Sequence, residues 1–283
     1  MRVASQGGSS FFDKVALRLR RWRYRWYRRR RYRRGEPKTV AWIVGCQRSG
    51  TTLMVHLFEL DRDTAAFQEY SALTVYPLPH DPVLHPLPKI QRILDREPAP
   101  LVVAKPLVAS QDLFPLLELF PVTRAIWMFR HYAEVAVSSV RHFGPRIPLS
   151  DLAPIIAGDP DDWRSAGLDP AVRETIRRLH RPGMPPLDAA ALFWLARNSL
   201  FFSQNLANDP RVALCRYGDL LADPAGTMRA VYAFLNRPYP GDYLVREVLP
   251  RRSPPRELAL DPAIREVCQE MLERLESLPR LGA

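Results

Sequence analysis

Residues 39–53, Thr39-Val-Ala-Trp-Ile-Val-Gly-Cys-Gln-Arg-Ser-Gly-Thr-Thr-Leu53, decide the fold. Val40 to Val44 form an apolar, partly β-branched run stopped by Gly45, the pattern of a buried parallel strand. From Leu53 to Leu60 the apolar positions return with helical periodicity. A glycine-bounded loop, Gly45 to Gly50, joins the two. In a strand–loop–helix unit of this kind, successive backbone N–H groups converge on an anion and the helix N-terminus adds partial positive charge. The stretch therefore predicts a phosphate cradle.

Outward from it, apolar runs at 101–104, 123–129 and 211–215, with a short one at 65–68, read as further strands. Helical spacing covers 111–120, 133–141, 187–206, 223–235 and 263–277. Strands alternating with helices predict an α/β fold, a P-loop NTPase-like parallel sheet of four or five strands flanked by helices. Ligands in such sheets sit at the strands' carboxyl ends. Seven prolines in residues 76–100 argue against sheet or continuous helix there and predict a loop over the site. Residues 144–186, rich in Pro, Gly and Asp with a short basic helix near 171–180, read as an insertion or lid within a domain spanning 39–283.

The formal charge of +11 belongs to one end of the chain. Residues 1–38 hold 14 of the 41 Lys and Arg and two acids, whereas 39–283 hold 27 basic and 28 acidic residues. Phe12, Val15, Leu19, Trp22 and Trp26 recur at alternating spacings of three and four, one stripe on a helix otherwise covered by arginine. Residues 11–34 thus read as a basic amphipathic helix suited to an anionic membrane surface. Nucleic acid is the rival partner, and a solvated extension with no partner is the plain alternative. Cys46, Cys215 and Cys268 are scattered, and the six histidines have no metal-ligand spacing, so neither a disulfide framework nor a metal is expected. No apolar run is long enough to span a bilayer and no secretory signal opens the chain, which points to the cytoplasm, with the basic helix on the inner membrane face.

The loop has the Walker A spacing, but Thr51 stands where a nucleotide triphosphatase needs lysine, and the cation is Arg48, inside the loop. Gln47-Arg-Ser-Gly-Thr-Thr52 after a strand resembles the 5′-phosphosulfate loop of sulfotransferases that use 3′-phosphoadenosine-5′-phosphosulfate (PAPS). Arg130 closes a strand and Ser138 lies eight residues on, which is similar to the pair that holds the 3′-phosphate in that family. The family usually has a small polar residue after the arginine; this chain has His131. Arg216-Tyr-Gly-Asp-Leu220 resembles the segment whose tyrosine contacts adenine, here Tyr217, with Gly218 where an acid is common.

The resemblance implies in-line transfer of a sulfuryl group from PAPS to a hydroxyl acceptor (a carbohydrate, lipid or small molecule) without a metal. Gln47, Arg48, Ser49, Gly50, Thr51, Thr52, Arg130, Ser138 and Tyr217 would bind PAPS or its product PAP. Lys105, one of two lysines against 25 arginines in residues 39–283, resembles a strand-end lysine of the tyrosylprotein branch and would neutralise the leaving group with Arg48. Glu69 would take the acceptor's proton, with His80, Asp81 and His85 as rival bases. Trp194 and Asn198 share a helix face and read as core packing. Arg251, Arg252 and Ser253 sit where the family closes on its cofactor, without the family's basic pattern. A P-loop nucleotide kinase, and a non-enzymatic membrane- or nucleic-acid-binding adaptor with a degenerate P-loop, are the competing functions.

Overall fold

Strand β1 (Thr39–Gly45) is buried along its whole length in the computed structural model, which describes residues 11–33, 35, 37–78, 81–249 and 258–283. Side chains alternate along a strand, so Val40, Trp42 and Val44 enter one apolar core while Ala41 and Ile43 enter a second on the opposite face. A strand apolar on both faces belongs in the middle of a covered sheet. Before it runs α1 (Phe11–Arg31). After it come α2 (Thr51–Leu60), β2 (Thr64–Phe67), β3 (Thr74–Leu78), β4 (Asp81–Leu84), α3 (Leu87–Asp95), β5 (Leu101–Ala104), α4 (Phe114–Leu117), β6 (Thr123–Phe129) and α5 (Tyr132–Phe143). The chain continues through α6 (Arg146–Ala157), α7 (Pro170–Leu179), α8 (Pro186–Ser203), β7 (Val212–Arg216), α9 (Tyr217–Ala222), α10 (Pro224–Phe234), α11 (Pro262–Glu276) and β8 (Arg280–Leu281).

The main sheet has the order β2-β5-β1-β6-β7-β8, and all its pairings are parallel. Trp42, Trp127 and Phe129 pack with Trp194 and Phe201 of α8 on one face. Ile43 and Met128 pack with Met54 and Phe58 of α2 and Val231 of α10 on the other. The chain leaves β1 toward β2 and β5 on one side, then crosses to β6 and β7 on the other. The carboxyl end of β1 is therefore a topological switch point, where a crevice opens.

Four expectations are corrected. The main sheet has six strands rather than four or five, because Arg280 and Leu281 add a short edge beside β7. Residues 76–100 are not a wrapping loop. They hold most of a β3–β4 hairpin and all of α3. An isolated hairpin consists only of edge strands, and its register shifts between Val75 and Leu78, around Pro77, so the prolines block no ladder. The helix expected over 111–120 shrinks to α4, since Pro115 fits only a helix's first turn. Residues 144–186 carry α6 as well as the anticipated α7, and both pack on α8.

Lys38 fixes the entry to β1 by donating to the carbonyls of Leu94, Asp95 and Glu97 at the end of α3. Among the described residues no helix is long and apolar enough to cross a membrane.

Candidate functional site

The loop after β1 is shaped by backbone that few residues tolerate. Gly45, Arg48 and Gly50 all have positive φ, at 112°, 68° and 89°. A Cβ on Gly45 would lie 2.3 Å from the Met128 carbonyl oxygen, and one on Gly50 would lie 2.2 Å from the Tyr217 ring. Glycine is required at both by close approach as well as by φ. The Ser110 hydroxyl accepts the Gly45 N–H at 3.1 Å and anchors the loop's start. At its end, α2 begins at Thr51 with no side-chain cap, so its first N–H groups have no partner within the helix.

Arg48, forced into the left-handed region, turns its half-buried guanidinium across the loop and donates to the Ser138 hydroxyl of α5 at 3.1 Å. It has no carboxylate partner among the described residues. Burial, then repulsion from Arg130, hold its pKa below the usual arginine value. Arg130 lies 4.5 Å over the Tyr217 ring and donates to both carboxylate oxygens of Glu134 at 3.2 Å. Since Tyr217 also packs on Gly50, the structure brings the loop, Arg130, Ser138 and Tyr217 together at the ends of β1, β6 and β7.

A second cluster adjoins the loop. Lys105, directly after β5, is buried and donates from Nζ to Thr52 at 3.0 Å, with a Glu69 carboxylate oxygen at 3.8 Å. Glu69 stands two residues past β2, the strand beside β5. Burial raises the Glu69 pKa against the pull of Lys105, and burial lowers the Lys105 pKa against the pull of Glu69. Desolvation disfavours both charges, and each partner's charge opposes the other's shift. The hydroxyls of Thr74 and Tyr76 in β3 donate to the Glu69 carbonyl and fix its backbone.

The other expected residues fall less simply. Gln47 sits half-buried on the loop's turn. Ser49 is fully buried, its N–H closing a turn onto the Cys46 carbonyl. His85 is tied by its amide to Leu73, Asp81 opens β4, and the carboxylate facing Lys105 is that of Glu69. His80, Arg251, Arg252 and Ser253 lie outside the described residues. Among the described residues no cluster of His, Cys, Asp or Glu is placed to hold a metal ion.

No family model and no curated protein matches the sequence. Solved structures do match the fold. A sulfotransferase from Alicyclobacillus acidocaldarius shares 15% identity over 86% of this chain and 95% of that one, with a TM-score of 0.50. The sulfotransferase domain of an olefin synthase from Synechococcus PCC 7002 shares 16% identity over 89% and 93%, with a TM-score of 0.45. The chain has the sulfotransferase fold.

Within this sulfotransferase fold, several supporting residues carry no sequence signal. Trp194, expected only to pack, donates its indole N–H to the Arg130 carbonyl at 2.8 Å and fixes the end of β6. Asn198 links it to the sheet by donating to the Trp194 carbonyl and accepting from Trp127. His131 caps α5, its Nδ1 accepting the Ala133 N–H at 3.2 Å, the function a short polar side chain would serve there. Fully buried Arg197 donates to the carbonyls of Leu107 and Trp163 at 3.0 Å each, which holds the turn after Lys105. The bonds of Trp194 to Arg130, of Trp127 to Asn198 and of Arg197 to Leu107 and Trp163 join distant segments, whereas the His131 cap is local and could be suspected from sequence.

Proposed function

We propose that this chain is a sulfotransferase that moves a sulfuryl group from PAPS to a hydroxyl acceptor. One observation carries the reading: Arg48, half-buried and without a carboxylate partner, sits in a glycine-built cradle beside Arg130 and within the electrostatic reach of Lys105. A desolvated cation cluster with too few carboxylates is stabilised by an anion of several charges. PAPS is such an anion, and it supplies an activated sulfuryl group on a leaving phosphate.

The loop amides, the first turn of α2, Thr51 and Thr52 would hold the 5′-phosphosulfate, and Arg130 with Ser138 would hold the 3′-phosphate by charge-assisted hydrogen bonds. Tyr217 offers a ring face for adenine. Glu69, its basicity raised by burial, accepts the acceptor's proton as the acceptor oxygen bonds to sulfur. Lys105 and Arg48 offset the negative charge that grows on the departing phosphate, so PAP leaves and the acceptor carries the sulfate ester.

Calorimetry decides the reading. PAP should bind more tightly than ATP, and Arg130→Ala should weaken PAP by about 10- to 100-fold while leaving adenosine 5′-phosphosulfate nearly untouched, as expected for one charged hydrogen-bonded pair. Tighter ATP binding would instead favour a kinase, and equal losses for both sulfotransferase ligands would remove Arg130 from the 3′-phosphate.

A further inference from the structure

Helix α1 docks on the body through polar side chains. Arg21 pairs with Glu59 at 2.6 Å, and Tyr24 donates to the Leu60 carbonyl at 3.4 Å. Arg28, itself buried, donates to the carbonyls of Arg62 and Thr64, and Tyr32 donates to Asp63. Residues 21, 24 and 28 form one face. Trp22 and Trp26 lie two residues from Tyr24, roughly 200° around the helix, so the aromatic face points away from the body. Leu19, Trp22 and Trp26 are 57%, 66% and 49% exposed. The usual arrangement of a surface helix, apolar face inward, is reversed.

The outward stripe is bordered by cations on both sides. Arg23 and Arg30 flank one side and Arg25 and Arg29 the other, all exposed, and the Arg30 guanidinium lies 3.8 Å over Trp26. Asp13 is the sole acid in the helix sequence. A second copy of this face would bring two arginine-rich surfaces together. A nucleic acid would meet the arginines but place tryptophans against a charged backbone. We infer that α1 lies flat on an anionic lipid bilayer, with Leu19, Trp22 and Trp26 below the headgroups and the flanking arginines on lipid phosphates. Glu59, which holds Arg21, also accepts from Gln68, the residue before Glu69. The docked face of α1 is thus linked through Glu59 to the segment after β2 that carries Glu69.

The test uses the full chain and lipid vesicles and reads no activity, so it stands apart from the proposed transfer reaction. Phosphatidylcholine vesicles containing phosphatidylglycerol should bind the chain, while phosphatidylcholine alone should not, and binding should fall as salt rises. Each Arg→Gln change at Arg23, Arg25, Arg29 or Arg30 should weaken binding about fivefold, and Trp22→Ser with Trp26→Ser by about tenfold or more. Brominated acyl chains should quench the unmodified chain, because Trp42, Trp127 and Trp194 are fully buried and Trp163 is partly buried, which leaves Trp22 and Trp26 as the most exposed emitters. Quenching absent in the unmodified chain, or equal binding by the tryptophan variant, overturns the inference. So does preference for a DNA duplex over the vesicles, or self-association that the tryptophan changes abolish.

Discussion

At the residue scale, the Glu69–Lys105 pair ties burial to chemistry. Desolvation raises the carboxyl pKa and lowers the ammonium pKa, while each partner's charge opposes the other's shift. Transfer that needs Glu69 as carboxylate and Lys105 as ammonium rises with pH through a Glu69 value above the ordinary carboxylate. It falls again at a Lys105 value below the ordinary lysine. Glu69→Gln should lower kcat by about 100-fold or more and erase the acid limb of the profile of kcat/KM against pH, the signature of a lost general base. An acid limb that survives in this variant would return the base to His85 or to the segment holding His80. Arg48 was legible in the sequence because its position inside a glycine-bounded loop is local. Its bond to Ser138, 90 residues away, was not.

At the element scale, α5 depends on its first residue pair. Neutral His131 Nδ1 accepts the Ala133 N–H, and burial lowers the imidazole pKa below its usual value. The unfolded chain takes up a proton near the ordinary histidine pKa of about 6.5, before the folded chain does. The cap's contribution is therefore complete above that pH and is lost as pH falls toward the lower folded value. His131→Ala should cost about 1 kcal/mol of stability at neutral pH, and His131→Asn much less, measured by urea denaturation. The Ala variant should also lose part of the acid-side decline. The β3–β4 hairpin is the element that sequence reading missed most clearly. Proline content argues against a sheet interior, and this hairpin has no interior strand.

At the scale of the whole molecule, Arg197 of α8 joins segments that are far apart in the chain. It binds carbonyls on both the turn after Lys105 and the segment before α7 from a fully buried position, with its pKa lowered to about 10 by desolvation. Arg197→Leu should destabilise the fold by about 3 kcal/mol, because the buried Leu107 carbonyl and the partly buried Trp163 carbonyl lose their donors, and should lower PAP affinity by loosening Lys105; denaturation and calorimetry on one variant read both. The sequence by itself determined the continuously apolar strands, the glycine loop and the charge-rich first helix, since each depends on the pattern of near neighbours. Only the tertiary structure decided that Arg48 meets Ser138, that Glu69 faces Lys105 and that α1 turns its tryptophans outward. Those are contacts between segments brought together by sheet order and by burial of both sheet faces, and no local pattern encodes them.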